Sequence, residues 1–489
     1  MKWRKVLLGL CLWSFSVANA QTLRLHIYQH KEWLEGLGYS APLNVSVADW
    51  QKIQKQWITY AENNGYPFAS LRLDSLAGDS VLISATITFS PNLYIAFDTI
   101  QVAGNVPINT KFLANYLRIL KDEPFSQKRV NEIEAKINQL PYAHLAQQPA
   151  VIFKDGKAVV SLHLQKQNAN QTDGVVGFLP NEEASNKLTL TGQFNLKINN
   201  LFKRGKSLTA DWQRIRKATQ QMNILYTNPL GWKRAPLEWQ FGLNLLKEDT
   251  SFLNRNIEFS IKYALTSSQK IGFLVKSVRS FAQAPTNANT AVPVGATNYW
   301  AYGLQYEWAF LDDFNYPHKG WRVQTEATAG NKTYRRYAVE ANSFQVSGKL
   351  LGEFYTHFYR KNVLLFRLKM SYLDANILYI NELSRVGGLL SLRGFNENRF
   401  YASTYGVFTS EYRYFWEEKS YLFAFYEQGA LSYKVVDGQW SANPWGVGTG
   451  ICFTTQGGLF SLTYALGNSA DQPLSFNNAK IHFGYVARF

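Results

Sequence analysis

Only two cysteines occur in 489 residues, Cys11 and Cys452, so no disulfide framework holds this chain together. Acidic residues are in deficit: 35 Asp and Glu stand against 51 Lys and Arg, a net charge of +16. Long hydrophobic runs are missing too. Beyond the N-terminus no stretch reaches the roughly eighteen apolar residues of a spanning helix. Catalytic signatures are likewise absent. There is no His-Glu-x-x-His, no cysteine pair, no phosphate-cradling glycine loop and no Gly-x-Ser-x-Gly elbow, and the seven histidines are dispersed. These absences point away from an enzyme and away from any metal or cofactor. A barrel hydrolase using a Ser/His pair and a passive porin remain as other readings.

The first twenty residues read as an export signal. Lys2, Arg4 and Lys5 precede the apolar run Val6 to Val17, and Ala18-Asn19-Ala20 offers a small-x-small cleavage site. Cys11 follows the large Leu10, which disfavours a lipoprotein anchor. Cleavage would remove Cys11 and leave Cys452 alone. It would also remove three cations, taking the net charge from +16 to +13. Export argues against nucleic acid as the partner of so basic a chain. The clusters Lys203-Arg204-Lys206, Arg214-Arg216-Lys217 and Arg335-Arg336 are scattered, which suits turns near anionic lipid head groups. What the chain has in abundance is aromatic surface: 14 Trp, 28 Tyr and 32 Phe. Aromatic richness, export and the lack of a spanning helix together suit a transmembrane β-barrel, whose strands bury only alternate residues in lipid.

Residues 21–168 mix helical and strand periods. Trp50, Ile53, Trp57 and Tyr60 recur at helical spacing behind Ser46, a candidate N-cap, and Gly65 stands where the helix would stop. Strand-like runs fall at Leu23-Leu25-Ile27, Leu71–Leu76 and Val81–Phe89, the last two joined at Gly78-Asp79. A second round follows. A strand through Ile100 and Val102 ends at Gly104-Asn105, and a helix presents Phe112, Leu113, Tyr116, Leu117 and Leu120. Ser126 caps another helix with Val130, Ile133, Ile137 and Leu140 inward. Asp155-Gly156 then turns Val151–Phe153 into Ala158, Val160, Leu162 and Leu164. The expected organisation is a signal at 1–20, α+β modules at 21–92 and 93–168, a polar hinge at Asn168–Gln171 and a barrel at 172–489.

In the barrel segment the helical period disappears. Leu237, Trp239, Phe241, Leu243 and Leu245 alternate with Glu238, Gln240, Gly242 and Asn244. Leu364, Phe366, Leu368, Met370 and Tyr372 alternate with Leu365, Arg367, Lys369, Ser371 and Leu373. A charge on the lipid face costs roughly 2–4 kcal/mol at mid-membrane, so Arg367 and Lys369 are expected to face the lumen. At roughly 20 residues per strand and turn, about sixteen antiparallel strands fit. The chain ends on a strand pattern in which Ile481, Phe483, Tyr485, Ala487 and Phe489 share one face, with Gly484 opposite.

One stretch departs from the alternation: Val386-Gly387-Gly388-Leu389-Leu390-Ser391-Leu392-Arg393-Gly394-Phe395. A guanidinium inside a water-filled barrel calls for carboxylates opposite it, because its fixed donors suit bidentate pairing. The following strands supply Glu411 and Glu427.

These residues resemble the bacterial surface antigen family, the BamA/TamA-like outer-membrane barrels with periplasmic POTRA modules. Gly65-Tyr66-Pro67-Phe68-Ala69 and Val102-Ala103-Gly104-Asn105 resemble POTRA corners, while Asn315–Trp321 and Gly446-Val447-Gly448 resemble barrel segments. Arg393-Gly394-Phe395 is similar to the signature of the long sixth extracellular loop. The resemblance implies a latch formed by Gly387, Gly388, Arg393, Gly394 and Phe395, with Glu411 and Glu427 as its acceptors. At the latter place aspartate is commoner in the family. It also implies that the terminal aromatic Phe489 is a barrel-assembly tag, and that the first and last strands, near Asp173–Leu179 and Ile481–Phe489, form a seam that Gly484 weakens. The implied partners are unfolded outer-membrane or secreted clients, outer-membrane lipid, and periplasmic or lipoprotein accessory factors, with no nucleic acid. The implied activity is client insertion or, as in two-partner secretion, polypeptide export. Two modules are fewer than the five or three of the best-known branches.

Overall fold

The computed structural model describes residues 22–78, 82–180, 188–214, 219–229, 236–248, 251–282, 295–314, 316–336, 339–359, 361–436, 438–455 and 458–488. The expected export signal, Asp79, Asn315 and Phe489 lie outside the described residues. The chain divides into two compact units. One holds the stretch ending at Thr99 with Leu120–Asn131 and Val151–Val160; the other holds Ile100–Ile119, Glu132–Ala150 and Ser161–Phe489.

In the first α/β module, helix Val47–Asn63 begins where Ser46 Oγ accepts the Asp49 N–H at 3.1 Å. Its buried stripe Trp50, Ile53, Trp57 and Ala61 covers a four-stranded sheet. The sheet order is Leu43–Ser46, Thr22–Ile27, Leu82–Ser90, Ser70–Gly78. Strands Thr22–Ile27 and Leu82–Ser90 run parallel at its centre, and Trp57 stacks on Phe89. Strand Leu43–Ser46 escapes the sequence pattern because four residues give too little alternation to read.

The second module repeats the plan around Lys157–Lys166, whose Ala158, Val160, Leu162 and Leu164 are all fully buried. Helix Thr110–Leu117 is capped by Asn109, whose side chain accepts the Phe112 N–H at 3.0 Å. The expected single helix behind Ser126 is two short ones, Gln127–Asn131 and Ile133–Ile137, broken at Glu132. The break leaves the burial pattern intact: Val130, Ile133, Ile137 and Leu140 all face inward. Nor do the residues expected to form a hinge hang free. Asn199 donates to the Ala169 carbonyl at 2.6 Å, and Asn170 Oδ1 accepts the Asn199 N–H at 2.8 Å.

Residues from Gln171 onward form a closed antiparallel barrel. Gly438–Ala442 and Trp445–Thr454 both pair with Ser420–Val435 and so act as one interrupted strand, leaving sixteen staves among the described residues. The alternation sorts side chains as expected. Phe366, Leu368, Met370 and Tyr372 are exposed on the outer face. Arg367 instead donates to Glu353 at 2.7 Å inside, and Lys369 donates to the Leu390 carbonyl at 2.6 Å. Cations of the inner wall meet carboxylates across strands: Lys262 with Glu307 and Lys276 with Glu326, each at 2.6 Å. The lumen is thus lined with paired charge, and the outer belt with apolar surface that only lipid can cover.

Neighbouring staves share long registers; Gly320–Arg336 and Val339–Tyr359, for example, match from Gly320↔Tyr355 to Arg336↔Val339. Between the last strand, Lys480–Arg488, and the first, Gln171–Pro180, two residue pairs are in register among the described residues: Ala487↔Thr172 and Arg488↔Gln171. Among the described residues, the expected seam along Asp173–Leu179 therefore has no register partner in the last strand, and the pairs present lie at one end. Gly484 pairs with Ser461 on the other flank, and a Cβ there would meet nothing nearer than 3.8 Å. Tyr485 packs on Phe460 at 4.6 Å between centroids. The side chain of Phe483 lies outside the described residues.

Candidate functional site

Strands Asn362–Ala375 and Thr404–Glu417 are joined by a long loop that folds back into the barrel. A short hairpin, Ser384–Val386 against Phe400–Ala402, forms its stem. The stem has a core of its own: Val386, Leu392, Phe395, Phe400 and Ala402, packed against Val407 and Leu431 of the wall. Gly387 and Gly388 take φ of +127° and +95°, which lets the chain reverse so that Gly388 N–H reaches the Leu392 carbonyl at 3.0 Å.

That reversal aims Arg393 at two carboxylates on the inner wall. Its main-chain N–H donates to Glu427 Oε2 at 2.7 Å and its Nε to Glu427 Oε1 at 2.8 Å. Nη1 donates to Glu411 Oε2 at 2.7 Å. Nη2 lies 2.7 Å from Glu427 Oε1. The guanidinium stacks 3.5 Å over the Phe425 ring, a geometry that favours a desolvated cation. Arg393 is 7% exposed, Glu411 4% and Glu427 3%, so solvent screens these pairs little. Both carboxylates have further partners. Glu411 accepts from Arg413 Nε at 2.8 Å and Glu427 from the Thr409 hydroxyl at 3.2 Å.

Close backbone approach makes the fit. Gly394, at φ +91°, sits so near the wall that a Cβ would lie 2.6 Å from the Gly467 nitrogen. Reciprocally, a Cβ on Gly467 would meet the Gly394 oxygen at 2.5 Å, and one on Gly446 the Arg393 oxygen at 2.3 Å. Strand glycines thus open the groove that the loop occupies.

The loop also has a foot on other strands, around Asn381. Asn381, buried, donates from Nδ2 to Ser280 Oγ and to the Gly295 carbonyl, while its Oδ1 accepts the Gly295 N–H at 3.1 Å. Glu382 receives the fully buried Lys332 at 3.0 Å, and Arg385 pairs with Glu248. Near the loop's end Arg399 meets Asp471 at 2.6 Å. The Ser469 hydroxyl chiefly, with help from Arg399, holds Asp471 below the usual carboxylate range. Burial pushes Glu397 above it, although the Leu389 N–H donates to this carboxylate at 2.9 Å.

A family model described as the Omp85 superfamily domain matches residues 200–489. The chain belongs to the Omp85 superfamily. It is accordingly an outer-membrane barrel protein. No curated protein matches it. Among solved structures it is similar to CdiB from Acinetobacter baumannii, at 13% identity and a TM-score of 0.57 over 96% of this chain and 90% of that one. It is also similar to CdiB from Escherichia coli, at 11% identity and a TM-score of 0.56 over 97% and 92%. BamA from Haemophilus ducreyi lacking POTRA domains 1–3 aligns at 13% identity and a TM-score of 0.47 over 96% and 100%.

In this Omp85 barrel the structure brings Arg393, Glu411 and Glu427 into one cluster, with Gly387, Gly388, Gly394 and Phe395 shaping the loop that carries them. Sequence reasoning missed the foot around Asn381. Lys332, Asn381, Arg385 and Glu248 lie on separate strands and loops, and nothing in their spacing couples them. It also missed Phe425 beneath the guanidinium and the spacing role of Gly446 and Gly467. Gly446 was visible as a motif, but not as a contact.

Proposed function

We propose that the chain is an insertion factor of BamA/TamA type for unfolded outer-membrane clients, and not an enzyme. One observation carries this reading: among the described residues the barrel closes through two register pairs, Ala487↔Thr172 and Arg488↔Gln171, at one end of the seam. A wall closed so sparingly leaves strand edges in lipid, where unpaired main-chain groups are costly and a client strand would satisfy them. The periplasmic modules supply a second set of edges, Ser70–Gly78 among them, on which an extended client can add without strong sequence demand. The loop acts as a latch. Arg393 holds it inside and stiffens the wall through Glu411 and Glu427 while the seam breathes. Accessory periplasmic or lipoprotein factors would deliver clients to the modules.

Proteoliposomes carrying the full protein test this directly. An unfolded porin diluted from urea should become folded and protease-resistant in the bilayer faster than with empty liposomes. Equal rates would refute insertion. A second reading, a polypeptide export pore of two-partner-secretion type, is favoured by the presence of two modules. It expects the client in the vesicle interior instead of the bilayer.

A further inference from the structure

Two staves of the barrel wall rise past the stave between them. Thr404 begins the strand Thr404–Glu417 and pairs with Tyr372 on one side and Ser432 on the other. Its neighbours continue, to Ala375 and to Val435. Above Thr404 the wall therefore has a gap one strand wide, about 9.6 Å at the usual inter-strand spacing. The gap is a closed window and not an open notch. Its floor is the Leu373 N–H on the Ser403 carbonyl at 2.8 Å and the Ser403 N–H on the Ser432 carbonyl at 3.0 Å. Its roof is the Val436 N–H on the Leu378 carbonyl at 3.1 Å. The cavity there has a volume of about 1100 Å³. It lies at the end of the barrel opposite the one where the chain enters.

The main-chain groups along this window follow from strand parity. In an antiparallel strand, alternate residues send both N–H and C=O to the same side. The Ser432 carbonyl and the Val436 N–H face the window, so those of Lys434 between them do too. The Leu373 N–H faces it from the other wall, and so do the groups of Ala375. On their far sides the two strands are already paired, Ala375 with Gln345 and Lys434 with Gln439. Among the described residues, neither Ala375 nor Lys434 has a register partner across the window. Two donors and two acceptors thus line a slot of strand width, and two consecutive residues of one extended chain, antiparallel to both walls, would satisfy all four.

We propose that this window binds an extended polypeptide segment, two residues of which fill it as a short piece of added strand. The side chains around it suit such a guest. Asp374 and Lys434 flank it with opposite charges on the outer face, while Tyr433 and Trp440, stacked at 5.7 Å, present rings toward the lumen. A guest alternating polar and apolar residues fits both. Occupancy would also reach the latch, because Trp440 stacks on Phe400 at 5.9 Å and Phe400 meets Phe395 edge-on at 5.0 Å, two residues from Arg393. The window stands apart from the seam, so this inference goes beyond the proposed insertion activity and does not depend on it.

Fluorescence anisotropy on the full-length protein in nanodiscs tests the proposal, with a fluorescein-labelled Thr-Val-Thr-Val-Thr-Val peptide as probe. Saturable binding is expected, weakened about tenfold when alternate residues of the peptide are N-methylated, since methylation removes main-chain donors and leaves the side chains unchanged. Ala375→Pro and Lys434→Pro each delete one window-facing N–H and should weaken binding similarly, and Trp440→Ala should weaken it as well. The methylated peptide needs no altered protein, so misfolding of a proline variant leaves the test intact. Equal binding of methylated and unmethylated peptides would overturn the proposal. So would displacement of the probe by a lipopolysaccharide core oligosaccharide with no methylation effect, which would mark a sugar site. Insertion kinetics measured on the same samples separate failure of the window from failure of the insertion reading.

Discussion

At Arg393 a main-chain N–H and a guanidinium meet two carboxylates in a space nearly closed to water. Removing the cation would leave Glu411 and Glu427 buried, with Arg413 and Thr409 as partners, and breaking such a buried pair typically costs about 3–5 kcal/mol. Arg393→Ala should therefore give a folded barrel that loses its heat-modifiable electrophoretic shift at lower temperature and inserts clients poorly. Unchanged thermal behaviour and unchanged insertion would refute the latch. Arg393→Lys should rescue only part, because an ammonium lacks the planar fork. Gly446→Ala is a sharper test. It touches no charge, yet its methyl would strike the Arg393 oxygen at 2.3 Å. It should reproduce the Arg393→Ala phenotype, and thermal stability equal to the parent protein would show that the groove tolerates a side chain. Position 427 carries glutamate where the family more often has aspartate. In the structure Glu427 takes both the main-chain and the side-chain donors, and its extra methylene supplies that reach.

The loop, taken as one element, is a strut across the lumen and not a tether with a single hook. Its first foot, around Asn381 and Glu382, stands on strands Phe252–Ala264, Gln269–Ala282 and Gly320–Arg336. Its second foot, at Arg393, stands on Thr404–Glu417 and Ser420–Val435. Lys332→Met should free the first foot by leaving Glu382 without its cation. The expected result is proteolytic cleavage within 376–403 from the cell surface while the barrel stays intact, and resistance equal to the parent would contradict the strut. Half of this element was legible beforehand. A glycine pair, an arginine and an aromatic in an otherwise alternating region mark a functional loop, because strand alternation cannot place them. The other foot was not legible, since cross-lumen contacts depend on the barrel's closure, which no local period encodes. The helix break at Glu132 illustrates the same limit: burial spacing survives a kink, so the pattern could not reveal one.

For the whole molecule the inside-outside alternation was the readable feature, and it fixed the barrel, the approximate strand number and the lumenal charges. Register was not readable. A strand's side-chain period of two is the same whichever partner residue it faces, so the seam's two-pair closure appeared only in three dimensions. The decisive measurement is client insertion by a Cys452→Ser protein carrying Thr172→Cys and Ala487→Cys, whose registered positions suit a disulfide. Oxidised, this protein should bind clients at its modules but fail to insert them, and reductant should restore the rate. Insertion at the parent rate with the bond fully formed would contradict lateral opening.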